Sequence, residues 1–175
     1  MHRFTTLLLI LFCVGLTANA QQPEWYSRAK EISLLNSNYL DVIRIYDLAS
    51  KVDTSDYETF HRDLWSIDVE EGTIQIFFKQ GALCVDGSTI GPGWNVPHGT
   101  AVRVDFLPNW KKGIPLDRLP FAFGDFEIVP QANAGRDRYY SDEVGISFEA
   151  DMNKLVREVH FFPPASMSYM RCSTQ

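Results

Sequence analysis

Basic residues are in the minority in this sequence, and they form no run. The 175 residues include 16 lysines and arginines against 22 aspartates and glutamates, which gives a formal net charge of −6 at pH 7. Proteins that bind nucleic acids neutralise phosphates with clustered lysine and arginine side chains. We therefore expect no nucleic-acid partner for this chain.

The signatures of the common enzyme classes are also missing. The chain has no C-x-x-C, no G-x-S-x-G, no H-E-x-x-H, no P-loop and no dinucleotide-binding glycine pattern. The stretch "HRDLWSID", residues 61–68, begins like the catalytic loop of a protein kinase. However, Asp68 stands where that loop needs asparagine, and no glycine-rich loop precedes it. We expect a non-catalytic protein that needs no cofactor and no metal.

Only one long apolar run is present, and it lies at the N-terminus. A cationic start at Met1–Arg3 precedes "FTTLLLILFCVGLT", and the small residues Ala18–Ala20 follow it. The run is shorter than the roughly 20 residues that span a bilayer, but it has the length of a secretory signal. The sequence predicts a signal peptide over 1–20, a secreted or periplasmic protein, a single domain over 21–175 and no transmembrane segment after cleavage.

Cysteine is scarce, with three residues in the chain, and Cys13 lies within the predicted signal. Export would leave Cys84 and Cys172 together in an oxidising compartment, where they are expected to form a disulfide. Closing so long a loop contributes about 2–4 kcal/mol of stability. Two unrelated thiols are the alternative interpretation.

Helical periodicity is confined to the N-terminal part of the predicted domain. "PEWYSRAKEI" is typical of a short helix with Pro23 near its first turn. "SNYLDVIRIYDLASK" predicts a longer helix with Ser37 as its N-cap and with Asp47 paired to Lys51. Its predicted buried face consists of Tyr39, Val42, Ile43, Tyr46 and Ala49.

Alternating patterns of period two fill much of the remainder. "WSIDVEEGTIQIFFK" predicts a hairpin that turns at Glu71-Gly72, and "TAVRVDFLP" predicts a strand with Val102, Val104 and Phe106 facing inward. The fold class is therefore α+β, with one or two N-terminal helices packed on one face of an antiparallel sheet built from hairpins.

A third pair of strands is predicted in "ISFEADMNKLVREVHFFPP", residues 146–164, with its turn at Asp151–Lys154. The alternation places Leu155, Val159 and Phe161 on the core side, together with Ile146, Phe148 and Ala150. It places Glu158 and His160 in solvent. Arg157 breaks the pattern, which predicts a β-bulge or a snorkelling side chain.

Histidines provide the candidate catalytic or metal-ligating groups. His61 and Asp63 lie two apart and would share one face of a strand. The carboxylate could orient the imidazole as a general base, or both side chains could bind a metal. An exposed strand end is the simpler interpretation. His98 lies in the loop "WNVPHGT" with Trp94 and Asn95. Either the three side chains line a small pocket, or Trp94 closes the end of the sheet and Asn95 caps a turn.

Aromatic side chains supply the candidate binding surface. Phe77 and Phe162 fall on the polar side of their strands, and Trp110 precedes Lys111-Lys112 in a loop. With Trp94 and His98 they form the predicted surface, because clustered exposed aromatics mark binding sites. The irregular segment 110–138 could equally fold over this face and cover it.

The order of parts resembles two groups of bacterial proteins. "ISLLNSNYLDVIRIYD", followed by hairpins, is similar to the small outer-membrane-assembly lipoproteins of the BamE type. The combination of this helix with "WNVP", "GISFE" and a terminal "RC" resembles uncharacterised secreted bacterial proteins. The resemblance implies an N-terminal helix on an antiparallel sheet, and it implies no activity and no site residues.

The sequence therefore predicts a non-catalytic secreted or periplasmic module that binds an unknown protein or envelope component. Two other hypotheses stay open. The first is a small hydrolase or metal-dependent enzyme that uses His61, Asp63 and His98, and it requires these side chains to converge. The second is a carrier of a small apolar ligand, and it requires an internal apolar cavity.

Overall fold

The computed structural model describes residues 22–49, 62–81, 93–122, 124–131 and 135–172. The predicted signal peptide, Lys51, His61 and Cys84 lie outside these ranges. The described helices are α1 (Glu24–Glu31) and α2 (Tyr39–Ile45), and the strands are β1 (Leu64–Val69), β2 (Gly72–Phe78), β3 (Ala101–Pro108), β4 (Ile114–Pro115), β5 (Glu127–Gln131), β6 (Arg136–Ser141), β7 (Ile146–Asp151) and β8 (Leu155–Phe161). Short 3₁₀ turns cover Leu116–Arg118 and Ala165–Met170.

All pairings between these strands are antiparallel. They form one eight-stranded sheet. Seven strands lie in the order β1-β2-β3-β8-β7-β6-β5, and the eighth, β4, pairs with the first two residues of β8. The helices precede the sheet in the chain, and α1 packs on β2 and β3. The predicted α+β class is confirmed.

Helix α2 begins one residue later than predicted. Asn38, not Ser37, is the N-cap: its side chain accepts hydrogen bonds from the backbone N–H groups of Leu40 (2.8 Å) and Asp41 (3.3 Å). The Asp41 carboxylate accepts in return from the Asn38 N–H at 3.0 Å, which completes a capping box. The Ser37 hydroxyl accepts instead from the N–H of Ser33.

The same helix also ends earlier than predicted. Its last residue is Ile45, and Asp47 has a φ of 52°, a left-handed conformation that cannot continue a right-handed helix. Tyr39 and Val42 are buried as expected, but Ala49 lies beyond the helix and is exposed. The helical face is therefore two turns long.

The main core lies between the helices and one face of the sheet. The Trp25 ring of α1 stacks on Phe106 of β3, with centroids 4.3 Å apart and planes within 4°. Phe121 and Phe126 pack against this same core and lie 5.9 and 5.4 Å from the ring of Phe148. These two described residues of segment 110–138 thus cover the main core.

Two register shifts decide which side chains reach the core. In the β2–β3 pair, Phe77 opposes Arg103 and Phe78 opposes Ala101, so Val102 has no partner. Ala101 and Val104 face the main core, while Val102 joins a second cluster. The prediction that Val102 shares a face with Val104 is wrong, because the irregularity moves it to the other side.

The second shift lies in the predicted third hairpin. Glu149 opposes Glu158 and Ala150 opposes Val156, so Arg157 is the extra residue and the predicted bulge is confirmed. Val156 is fully buried and Leu155 only half-buried, so the core position predicted for Leu155 belongs to its neighbour.

The second face of the sheet is covered in part, which the alternation did not predict. Leu35, Trp94, Val96 and Val102 form a small core there, and Phe77, Met167 and Met170 pack against it. Two of the segments that supply these residues are joined by a β-bridge between Trp94 and Arg171. His160 on this face is only 7% exposed. The prediction that His160 points into solvent is therefore wrong.

Candidate functional site

The predicted aromatic surface does not form one patch. Phe77 and Trp94 come together in the second core, each under a guanidinium group: Arg103 lies 5.1 Å from the Phe77 ring and Arg171 lies 5.4 Å from the Trp94 ring. Trp94 is buried. Phe162 is half-buried and stacks on Tyr140 at 5.2 Å. Of the five predicted residues, His98 and Trp110 are exposed.

The predicted histidine site is described only in part. Asp63 is exposed and directly precedes β1. His98 is exposed, and its ring lies edge-on to Tyr39 at 6.2 Å. Since His61 lies outside the described residues, the convergence of His61, Asp63 and His98 stays a hypothesis.

Trp110 stands on a tight turn that follows β3. The Asn109 carbonyl accepts hydrogen bonds from the N–H groups of Lys112 (2.9 Å) and Gly113 (3.0 Å), and the Asn109 side chain accepts from Lys111 N–H at 3.2 Å. Gly113 has a φ of 60°, a conformation that glycine adopts without steric cost. The turn leaves the Trp110 side chain projecting outward, and the residue is 74% exposed.

The bulge residue Arg157 supports this exposed ring. Its guanidinium lies 5.6 Å from the indole centroid, and Nη1 donates to the Trp110 carbonyl at 2.7 Å. Nε and Nη2 both donate to Oδ2 of Asp151, at 2.8 and 2.7 Å. The indole therefore rests on a cation that is itself held by a carboxylate.

Asp151 is in turn held by the hairpin turn. Its Oδ1 accepts from the N–H groups of Asn153 (2.9 Å) and Leu155 (3.1 Å). Partial burial works to raise the pKa of Asp151, but the hydrogen bonds from Leu155, Arg157 and Asn153 outweigh it and hold that pKa below its ordinary value. The carboxylate form is thus the one that the turn and Arg157 stabilise.

An open cavity of about 420 Å³ lies beside Trp110, between the ends of β1, β2 and β3. Thr73 Oγ1 donates to Asp68 Oδ1 at 2.9 Å on its wall. The cavity combines an indole, apolar side chains, carboxylates and an amide, and its lining consists of Asp68, Val69, Glu70, Gly72, Thr73, Leu107, Pro108, Asn109 and Trp110. Such a mixture of one flat ring with acceptor groups suits a ligand that has both a hydrophobic face and hydroxyl groups.

The second face of the sheet carries a continuous row of polar residues. Each member is the direct cross-strand partner of the next, and the row crosses seven strands: Ser66, Gln75, Asp105, His160, Ser147, Tyr140 and Glu127. Asp105, His160 and Ser147 in its centre are buried. Buried polar side chains need hydrogen-bond partners, which here bring ionisable groups close together. The centre of this row is therefore the second candidate site.

Asp105 and His160 are bonded to each other at the centre of the row. Arg103 donates to the Asp105 carboxylate through Nε (2.7 Å) and Nη2 (2.6 Å), and Asp105 Oδ1 lies 2.8 Å from Nδ1 of His160. Glu158 Oε1 lies 3.8 Å from Nε2 of the same ring. Asp105, Glu158 and His160 thus offer ligand atoms that all lie within 4.8 Å of one another.

Sequence reasoning missed this cluster because alternation assigned its members to solvent. One signal was available: β3 and β8 are strands of mixed apolar and charged character, and Asp105 and His160 hold equivalent places in them. The charged residues of two central strands lie side by side when the strands pair.

No protein-family model matches this chain, and no curated protein or solved structure shows significant similarity to it. The resemblance to BamE-type lipoproteins stays an expectation. Among the described residues, neither helix has the length and apolar character that would be needed to cross a bilayer.

Proposed function

We propose that this chain is a non-catalytic binding module, secreted or periplasmic and associated with the cell envelope, and that it meets its ligand at Trp110. The single observation that carries the proposal is an indole that is 74% exposed and yet fixed in place. Trp110 is held through its carbonyl and its ring by Arg157, and Arg157 is held by Asp151.

Fixing an exposed aromatic ring favours binding. Association costs free energy when side chains must be ordered, about 0.5–1.5 kcal/mol for each flexible one, and a ring that is already ordered avoids that cost. Large aromatic side chains are also the residues that most often dominate binding energy. The Trp110 side chain has both properties.

The chemistry around Trp110 favours a neutral, hydroxylated ring, that is, a sugar of an envelope glycan. A sugar can stack its hydrophobic face on the indole and donate its hydroxyl protons to carboxylate and amide oxygens, which Asp68, Glu70 and Asn109 supply. The guanidinium of Arg157 lies over one face of the indole, so the sugar would stack on the other face.

The test compares Trp110→Ala with Trp110→Phe in the full mature chain. Binding to a panel of soluble oligosaccharides, including N-acetylglucosamine oligomers, would be followed by calorimetry and by tryptophan fluorescence. Trp25, Trp65 and Trp94 are buried, so a change in fluorescence on binding would report mainly on Trp110. We expect at least a tenfold loss of affinity in Trp110→Ala, about 1.4 kcal/mol, and a smaller loss in Trp110→Phe.

Tyr169→Ala is the matched control, because Tyr169 is 80% exposed and lies in the C-terminal 3₁₀ turn. It should bind as the parent chain does. The free energy of unfolding of Trp110→Ala should fall by no more than about 1 kcal/mol, the size of an exposed cation–π contact. Equal binding by Trp110→Ala and the parent, or no binding to any sugar of the panel, would contradict the proposal.

A further inference from the structure

We propose that His160 and Glu158 form a binding site for a divalent transition-metal ion of the zinc type, with Asp105 as the positioning residue behind the imidazole. The site lies on the second face of the sheet, in the central strands β3 and β8. It is independent of the glycan site proposed at Trp110.

The contacts of Asp105 determine which nitrogen of His160 is available. Its carboxylate is buried and accepts two hydrogen bonds from Arg103. A carboxylate can only accept, so the 2.8 Å contact between Asp105 Oδ1 and Nδ1 of His160 requires the proton to be on Nδ1. In the neutral imidazole, Nε2 then carries the lone pair.

Arg103 does not bind the Nε2 lone pair of His160, because it contacts the other ring nitrogen. Its Nη2 lies 2.9 Å from Nδ1, but a protonated Nδ1 has no lone pair to accept a hydrogen bond. Nη2 donates to Asp105 Oδ2 instead, at 2.6 Å. The guanidinium therefore stays on the Nδ1 side of the ring, away from the Nε2 side that faces Glu158.

The distance between Nε2 and Glu158 Oε1 fits two ligands of one ion. At 3.8 Å the two atoms are too far apart for a hydrogen bond. Two ligands of a tetrahedral zinc ion, each about 2.1 Å from the metal, lie about 3.4 Å apart. A change of a few tenths of an ångström in the half-exposed Glu158 side chain brings the pair to this separation.

The second coordination sphere of such a site is already formed. Histidines that bind metals almost always donate their other ring N–H to a carboxylate or a carbonyl, which fixes the tautomer and the ring orientation. Asp105 accepts the Nδ1 proton of His160 in this way and is oriented by Arg103. Removing such an outer partner typically costs 10–100-fold in metal affinity.

The charged side chains around Glu158 favour a cation at its carboxylate. Glu149 is its direct cross-strand partner, and like charges directly opposite each other are unfavourable. Glu149 is paired with Arg136 and Arg138. Among the described residues, no lysine or arginine nitrogen lies within 4.0 Å of the Glu158 carboxylate.

The donor set selects the class of metal. An imidazole nitrogen with one carboxylate oxygen suits zinc, nickel and cobalt, whereas calcium and magnesium prefer oxygen ligands alone. The Glu158 side chain is 30% exposed and that of His160 is 9% exposed, so an ion would enter from the Glu158 side and water would complete its coordination. The arrangement is that of an open site with protein ligands on one side.

The experiment uses the metal-free, full mature chain and titrates it with Zn²⁺, Co²⁺ and Mg²⁺ by calorimetry. Histidine nitrogen resonances would be followed by NMR in parallel. We expect one Zn²⁺ per chain, Co²⁺ in its place with weaker affinity, and no heat with Mg²⁺. Zn²⁺ should shift the Nε2 resonance of His160, and Glu158→Gln should weaken Zn²⁺ binding at least tenfold.

Two controls make the outcome decisive. Glu143→Gln changes an exposed carboxylate of the same type, and His98→Gln removes an exposed histidine; neither should alter Zn²⁺ affinity. The proposal is overturned if Zn²⁺ gives no heat at millimolar concentration, if Glu158→Gln binds as tightly as the parent, or if His98→Gln abolishes binding. Glu158 is only half-buried, so its variant folds and the test does not depend on a substitution at His160 itself.

Discussion

At the scale of single residues, the Asp151 carboxylate joins the β7–β8 turn to the exposed ring of Trp110. It accepts two backbone hydrogen bonds at Oδ1 and two guanidinium hydrogen bonds from Arg157 at Oδ2. Each bond favours the charged form of the carboxyl, which is why its pKa is lowered. A group with a lowered pKa contributes stability above its unfolded pKa of about 3.9 and loses it as the pH falls through the folded pKa.

We predict that Asp151→Asn lowers the free energy of unfolding by about 1.5–3 kcal/mol near pH 7, the range for hydrogen bonds to charged groups. The difference from the parent chain should begin to shrink below about pH 4, where the unfolded chain takes up the proton, and should be lost once the pH has fallen through the lowered folded pKa of the Asp151 carboxyl. Urea unfolding at several pH values measures the loss of stability and its dependence on pH. Asp137→Asn is the control, because its ion pair with Lys154 is long (3.8 Å) and exposed. A difference that does not depend on pH would contradict the linkage.

At the scale of elements, α2 owes its start to the capping box and its short length to Asp47. Asn38 and Asp41 satisfy three backbone N–H groups at the helix start, which otherwise have no partner within the helix. A helix of only seven residues has marginal stability by itself. Its cap and the burial of Tyr39 and Val42 therefore decide whether it forms.

We predict that Asn38→Ala destabilises the protein by about 1 kcal/mol, the usual cost of removing an N-cap side chain. Asn36→Ala is a matched control two residues earlier, since the Asn36 side chain makes only exposed local hydrogen bonds. It should change the free energy of unfolding by less than about 0.5 kcal/mol. Thermal and urea unfolding of the two variants test the assignment, and equal losses would argue against Asn38 as the cap.

At the scale of the whole molecule, the C-terminal segment is tied to the segment that precedes β3. The N–H of Asn95 donates to the Met170 carbonyl and the N–H of Cys172 donates to the Gly93 carbonyl, each at 2.9 Å. These backbone bonds hold Trp94 and the 3₁₀ turn Ala165–Met170 over the second face of the sheet. The C-terminal segment thus packs against the second core through Met167 and Met170.

The pairing of Cys84 with Cys172 stays a prediction, because Cys84 lies outside the described residues. A bond there would add a covalent tie to the hydrogen bonds of Cys172. We expect non-reducing peptide mapping of the exported protein to recover one linked fragment, and Cys84→Ser to lower stability by about 2–4 kcal/mol. Two free thiols in the folded, exported protein would show the prediction to be wrong.

Export likewise remains a prediction for the whole chain. We expect cleavage after Ala20, because a charged start, an apolar run and small residues precede Gln21. N-terminal sequencing of the exported protein should begin at Gln21. A mature start at Cys13, or a chain that keeps Met1, would contradict it.

The sequence by itself determined the local elements of this protein. Period-two alternation located the β1–β2 hairpin, although its turn is Glu70-Glu71, one residue before the predicted Glu71-Gly72, because Gly72 pairs with Val69. Arg157 interrupts a pattern that is otherwise regular, and of the two predicted explanations, a bulge or a snorkelling side chain, the pairing shows the bulge. These are properties of neighbouring residues, so they can be read along the chain. The α+β class followed from the order of the elements.

The tertiary structure alone decided what covers each face of the sheet. Alternation shows which side chains share a face, but it does not show whether that face meets water. His160 is buried because Asp105 pairs with it from a strand 55 positions earlier in the chain. Trp110, by contrast, is exposed because its own turn directs it away from the sheet while Phe121 and Phe126 fill the core. Both outcomes depend on contacts between distant segments, and such contacts leave no periodic signal in the sequence.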